Sequence, residues 1–199
     1  DAPFLTRNLI MNFQGLQFPA AGIYSVDIGC DGELMPELME NSLGNLPIPR
    51  RMRWGAGIAE FVRPVHWVVM LHGDDVIDAP VMGVRAGRVS RGHRFHAPDD
   101  VEIPSPASYL GALEKRGYVI ADFERRRAMV LEGATAAAKA AGGELVASDA
   151  LLDEVTALNE WPVPITGTFE ERFLEVPHEA LVLTMKQNQK YFPMFDEAG

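Results

Sequence analysis

VHWVVML, from Val65 to Leu71, is a near-continuous apolar run of β-branched and aromatic residues. Its composition and short length suit a strand buried on both faces better than a helix. Trp67, in the middle of the run, is then expected to anchor the core. Helical patterns stand on either side of this strand without strict strand–helix alternation. The expected fold class is therefore α+β, a mixed sheet with several packed helices.

Upstream, residues 1–31 read as an extended hairpin: NLIMNFQGLQF, a turn at Pro19 to Gly22, then IYSVDIGC. In ELMPELMENSLGNL, Leu34, Leu38, Met39 and Leu43 give helical spacing, with Gly44 as the stop. LPIP is a connector, because each proline pushes its predecessor out of helical geometry. Downstream, Gly73-Asp74-Asp75 turns the chain, and VIDAPVMGVRAG supplies one or two further strands. Ser105-Pro106 has the form of an N-cap followed by proline at the first helical position, opening a helix that stops at Gly117. YVIADF reads as a short strand. ERRRAMVLEGATAAAKAAGG reads as a long helix closed by Gly142-Gly143. A strand fragment and a helix capped by Ser148 or Asp149 come next. WPVPITGTF is extended, and its prolines keep it at a sheet edge or outside the sheet. A last helix opens at Pro177 and ends before Pro193.

The 199 residues suffice for one large domain or two small ones. Hydrophobic residues make up 47% and charged residues 23%, ordinary values for a chain that buries a core. No apolar run approaches the ~18 residues that a membrane span needs. The opening residues lack the cationic and apolar regions of a signal peptide. Cys30 is the one cysteine, which excludes an internal disulfide and fits a reducing cytoplasm. The chain starts without Met and ends at DEAG, as expected of a piece of something longer.

The net charge of -10 is unevenly spread. Residues 1–49 hold one Arg against six acids, residues 50–127 thirteen Lys and Arg against ten acids, and residues 128–199 four against twelve. Any polyanion should meet the middle third. Within it, RVSRGHRFH, from Arg88 to His96, gathers three arginines and two histidines. His93 and His96 form an HxxH pair that could hold a metal with Asp99 and Asp100, but cationic neighbours disfavour a dication. An anion contact suits the loop better: Arg91 and Arg94 can give bidentate hydrogen bonds, His93 and His96 add donors, and Gly92 allows close backbone approach. A structural turn whose His and Phe pack inward is the third reading. RRMRWG and FVRPVHW interleave Arg50, Arg51, Arg53 and Arg63 with Trp54 and Trp67, a mixture that suits base stacking and phosphate pairing.

Arg125, Arg126 and Arg127 fan around their helix and read as a solvated face. MKQNQKYFP places Lys186 and Lys190 around an amide cluster at a helix end, where cations complement the dipole. Asp153, Glu154, Glu160, Glu170, Glu171 and Glu175 read as ordinary exposed positions. Phosphate-loop, dinucleotide, CxxC, HExxH and GxSxG motifs do not occur, so local sequence supports no nucleotide or zinc chemistry.

LPIPRRMRWG, EFVRPVHWVVML, AGRVSRGHRFH, GYVIADFERRR, LLDEVTALNEWPV, FEERFLEVPHEAL and TMKQNQKYFP, in this order, resemble the β subunit of the bacterial heterotetrameric glycyl-tRNA synthetase. The resemblance runs from about Glu33 to Gly199. It divides the chain into a segment 1–32 outside the family and an α+β domain over 33–199, in a region said to look like the B3/B4 module of the phenylalanyl enzyme's β subunit. The resemblance implies a role in ATP-dependent attachment of glycine to tRNA(Gly), with partners tRNA(Gly) and an α subunit in an α2β2 assembly, in the cytoplasm and away from membranes. It also implies that ATP and Mg are used by the α subunit, so this segment needs no cofactor, metal or catalytic residue of its own. An editing role is not carried over, because a glycine pocket can exclude larger amino acids sterically. RNA contact is then expected at Arg50, Arg51, Arg53, Arg91, His93, Arg94 and His96, with Lys186 and Lys190 secondary. The rival readings are a pure assembly module for the α subunit and an editing-like hydrolase built on the two histidines.

Overall fold

Helix α1, Met35–Gly44, lays Met35, Leu38, Met39 and Leu43 against a core formed by Met70, Ile77, Ala79, Val81, Met82 and Ala86. Those four positions recur at three- and four-residue intervals, the spacing of one helical face. In the computed structural model, which describes residues 35–195, the chain forms two compact units, one ending at Val119 and the other starting at Ile120. The hairpin expected over residues 1–31 lies outside the described residues.

The first unit is built from short antiparallel pairs. β1 (Met52–Arg53) pairs with β2 (Glu60–Phe61), β3 (Leu71–His72) with β4 (Asp75–Val76), and β5 (Pro80–Val81) with β6 (Val84–Arg85). β7 (Val89–Arg91) and β8 (Asp100–Glu102) form the last pair of the unit. Gly73, with φ 59°, takes the first central position of the β3–β4 turn, where a two-residue hairpin needs positive φ. In the β5–β6 turn both central residues are left-handed, Met82 at φ 52° and Gly83 at φ 78°. A left-handed non-glycine residue costs about 1–2 kcal/mol. Burial of the Met82 side chain offsets this, and so does its N–H, which donates to Glu40 Oε1 at 2.9 Å and ties the turn to α1.

The long strand expected at Val65–Leu71 does not form. Only Leu71 belongs to a strand; Val69 makes an isolated parallel bridge with Gly87, fastened by Met70 N to Gly87 O at 3.0 Å and Gly87 N to Val68 O at 2.9 Å. Met70 is buried, whereas His66 is exposed and Trp67 is 40% exposed. Trp67 therefore does not anchor the core. Met70 O also accepts from Ile77 N at 3.0 Å, so backbone pairing is confined to the C-terminal end of the run, and Val65 and Val68 pack on the core by their side chains.

A 3-10 turn, Pro106–Ser108, leads into α2, Tyr109–Gly117. Ser105 is the extended N-cap and Pro106 follows it, as the sequence indicates. The Ser108 hydroxyl accepts from Ser105 N and donates to Ser105 O. The helix stops at Gly117, as expected, and Tyr118 takes the left-handed conformation after it (φ 52°). α2 packs on β8.

The second unit contains α3 (Phe123–Ala140), β9 (Glu144–Leu145), α4 (Asp149–Leu158), α5 (His178–Thr184) and β10 (Met194–Phe195). α3 packs against α4, and β9 pairs antiparallel with β10. Asp122 caps α3 by accepting from Arg125 N at 2.9 Å, and Ser148 caps α4 by accepting from Leu151 N at 3.4 Å. YVIADF is not a strand; Ile120 is buried and its N–H donates to Glu160 O at 2.9 Å. Residues 162–170 have no regular structure, in line with their prolines. Five helices and short antiparallel pairs among the described residues make the fold mixed α+β.

Candidate functional site

The loop 92–99 joins β7 to β8. Arg91 and Asp100 face each other across the pair, with Arg91 Nη1 3.0 Å from Asp100 Oδ1 and both side chains more than half exposed. Such a surface pair contributes well under about 1 kcal/mol, yet it neutralises one of the loop's cations. Gly92 is required by a close approach: a Cβ there would stand 2.8 Å from both Gly117 Cα and Gly117 O. His93 N donates to the same Gly117 carbonyl at 2.7 Å, fastening the loop to the end of α2.

His93 holds the turn from within. Its Nδ1 accepts from the N–H groups of Phe95 and His96 at 3.2 and 3.3 Å, and its carbonyl accepts from Ala97 N at 2.8 Å. The His93 and His96 rings lie 4.4 Å apart between centroids, and the His96 and Tyr118 rings 5.5 Å apart. The Phe95 ring touches this packing only through His93, 6.1 Å between centroids, and is otherwise in water at 83% exposure. The turn reading is thus right for His93 and wrong for Phe95, which does not pack inward.

The other arginines divide between structural and unoccupied roles. Arg88 spans two segments, donating to Asp74 O at 2.8 Å and Pro104 O at 3.2 Å. Arg51 Nη2 donates to Gly44 O at 2.6 Å and Leu46 O at 3.3 Å, satisfying carbonyls at the negative end of α1. Arg50, Arg53 and Arg94 are exposed and make no ion pair among the described residues. His93, Arg94 and His96 share one loop, and Arg91 ends the strand that leads into it. Arg50, Arg51 and Arg53 lie in the same unit, before and within β1.

Lys186 and Lys190 belong to the second unit. Lys186 is half-buried in a π turn, Met185–Gln189, that continues α5. Lys190 closes the turn in the left-handed conformation (φ 59°), and its Nζ lies 2.8 Å from Glu154 Oε1. Gln187, Asn188 and Gln189 are exposed in this turn. π turns often mark functional positions.

Sequence reasoning missed Arg126. Of the three arginines read as a solvated face, Arg126 is only 6% exposed. Its Nε donates to Thr156 O at 2.9 Å and its Nη1 to Ile120 O. Burial pushes the guanidinium below the ordinary arginine range, and the charges of Glu160 and Asp122 partly offset this. Arg127 bonds Asp153 and Asp149, at 2.6 and 2.7 Å, and these hydrogen bonds raise its pKa. The helical spacing of ERRRAM against the apolar positions Met129 and Val130 was the available signal, but one arginine in three being internal is not visible in it. Among the described residues no group of three His, Cys, Asp or Glu side chains is placed to hold a metal ion.

Sequence comparison gives the class first: over most of its length the chain is similar to subunits of aminoacyl-tRNA synthetases. It belongs to the glycyl-tRNA synthetase beta subunit family, whose model matches residues 30–199. A family of unknown function, DUF6941, matches residues 1–39. Among curated proteins, the glycine–tRNA ligase beta subunit of Marinobacter nauticus is 58% identical over 165 residues, 82% of this chain and 24% of that protein. The beta subunits of Hahella chejuensis and Pseudomonas putida W619 are each 54% identical over 166 residues, 83% of this chain and 24% of theirs. The chain thus spans about a quarter of the length of the curated relatives it matches. No helix among the described residues is long and apolar enough to cross a membrane.

Proposed function

We propose that this chain works in the ATP-dependent attachment of glycine to tRNA(Gly), as part of the non-catalytic beta subunit of a cytoplasmic glycine–tRNA ligase. Its family membership supports this role. In this reading the family portion begins near residue 30, most of the segment before it lies outside the family, and ATP and Mg serve an alpha subunit. The first unit contacts tRNA backbone, and the chain also takes part in assembly with alpha in an α2β2 complex. The observation that carries RNA contact is the set of exposed arginines, Arg50, Arg53 and Arg94, that no carboxylate neutralises among the described residues. Arg51 and Arg91 are engaged with carbonyls and with Asp100, and so have less to offer a phosphate. Lys186 and the amides beside it are a secondary contact; Lys190 is held by Glu154. Assembly draws support from a different observation: Val163, Ile165, Phe169 and Leu174 are exposed within one stretch.

The test is tRNA(Gly) binding by the full-length beta subunit assembled with alpha, measured across a salt series. Substituting Arg50, Arg53 and Arg94 together by Ala should weaken binding about tenfold or more and flatten the salt dependence by roughly two to three charges. Arg91→Ala should do less. Unchanged affinity and slope in the triple variant would remove these residues from the RNA contact. A weakened alpha–beta association with unchanged tRNA binding would assign the arginines to assembly.

A further inference from the structure

Within its own loop Phe95 meets only the edge of the bracing residue, its ring centroid 6.1 Å from that of His93 and tilted to it by 53°, and the loop that presents it is held at several points. The Gly92–Gly117 approach, the His93 N to Gly117 O bond and the two bonds to His93 Nδ1 fix the backbone on both sides of the phenyl ring. The ring is 83% exposed at the tip. Arg94, exposed and without an ion pair among the described residues, immediately precedes it. His96 follows, exposed, and its ring continues to Tyr118, 42% exposed, at 5.5 Å. An apolar ring held in water by a braced turn has already lost the conformational freedom that a binding partner would otherwise have to remove.

We infer that Phe95 is a stacking platform for an unpaired nucleobase, with Arg94 contacting the adjoining phosphate. The inference rests on the proposed RNA role of this unit and names the part of the RNA that it meets: a single-stranded end or loop, not a duplex. A flat aromatic face beside a cation matches the two parts of a nucleotide, a π surface and an anionic phosphate. A protein partner would be expected to bury such a ring in a wider apolar patch, whereas the immediate neighbours of Phe95 are Arg94 and His96. Duplex RNA keeps its bases stacked internally and offers no free face. Asp99, exposed in the same loop, sets a limit on phosphate approach from its side. The phosphate therefore lies on the Arg94 side of the ring.

The experiment compares the full-length beta subunit, assembled with alpha, as wild type and as Phe95→Ala, Phe95→Leu and Phe95→Trp. The probes are a fluorescently labelled single-stranded oligoribonucleotide and a blunt RNA duplex of the same length. Phe95 is exposed, so these substitutions leave the fold intact, which circular dichroism verifies. Loss of base–aromatic stacking should weaken single-strand binding about fivefold or more in both Ala and Leu variants. Phe95→Trp should retain or improve it, duplex binding should not change, and the salt slope should stay the same because no charge is removed. Equal single-strand affinity in Ala, Leu and wild type would overturn the stacking site. If the Arg50, Arg53 and Arg94 substitutions still weakened RNA binding, the RNA role itself would survive that result. Loss of alpha–beta association in Phe95→Ala, with RNA binding unchanged, would make the ring a protein contact and also overturn the inference.

Discussion

Arg125, Arg126 and Arg127 follow one another on α3 and have different surroundings. Arg125 is exposed, Arg126 is buried between the carbonyls of Ile120 and Thr156, and Arg127 reaches two carboxylates on α4. Removing the Arg126 guanidinium would leave two buried carbonyls without donors and open space beneath Phe123, whose ring lies 5.6 Å from the guanidinium carbon. Arg126→Ala should therefore cost about 2–4 kcal/mol of stability, while Arg125→Ala should change it by less than about 0.5 kcal/mol. Urea unfolding followed by circular dichroism checks both, and equal midpoints would contradict a structural role for Arg126. Three arginines in sequence are alike in charge and length. Which one points inward depends on the rotation of α3 about its axis, and α4 sets that rotation. The same holds for His93 and Phe95: composition marks the loop as unusual but does not say which ring braces it and which one is displayed.

At the scale of elements, the helices were legible, as were the strands in VIDAPVMGVRAG and the fragment at Glu144–Leu145, but the strands expected at Val65–Leu71 and YVIADF do not form. α1, α3 and α4 lie where apolar spacing and capping residues put them, because a helix closes its hydrogen bonds within its own segment. Ser148 is a cap in sequence and in space, and Asp122, read as part of a strand, is a cap in space; their acceptor distances are 3.4 and 2.9 Å. The shorter contact should matter more. Asp122→Ala is expected to lower stability by about 0.5–2 kcal/mol and Ser148→Ala by less, measured by thermal unfolding. A larger loss for Ser148→Ala would contradict this ranking. Strands need a partner from elsewhere in the chain, and neither Val65–Leu71 nor YVIADF has one of matching length. The first is paired only near Met70, through Gly87 and Ile77, and the second leads from the end of α2 to the start of α3. The turn reading was a better guide: Gly73, expected to turn the chain, sits at positive φ in a two-residue hairpin.

At the scale of the molecule, the described chain has two units of different construction. The first is made of hairpins around α1 with α2 at its end. In the second, α3 and α4 hold the core, and residues 162–177 run outside it with one 3-10 turn, Glu171–Glu175. Pro164 rests on Gly133, where a Cβ would come within 3.2 Å of the proline ring; beyond that point the side chains are exposed as far as Ala180. A segment with so little buried surface opens at low free-energy cost. Limited proteolysis should therefore cut between Ile165 and Glu175 before it cuts α3 or α4, read by mass spectrometry of the first fragments. First cuts within α3 or α4 would show that this ordering of local stability is wrong. By itself the sequence determined the family, the α+β class, the helices with the caps Ser105 and Ser148, and the loop in which cations and aromatics meet, since each depends on residues close together along the chain. Only the tertiary structure decided which cations are spent on carbonyls and carboxylates, which arginine is buried and which ring faces water. Those outcomes depend on partners brought from distant segments, such as Asp100 for Arg91, Gly117 for Gly92 and Thr156 for Arg126.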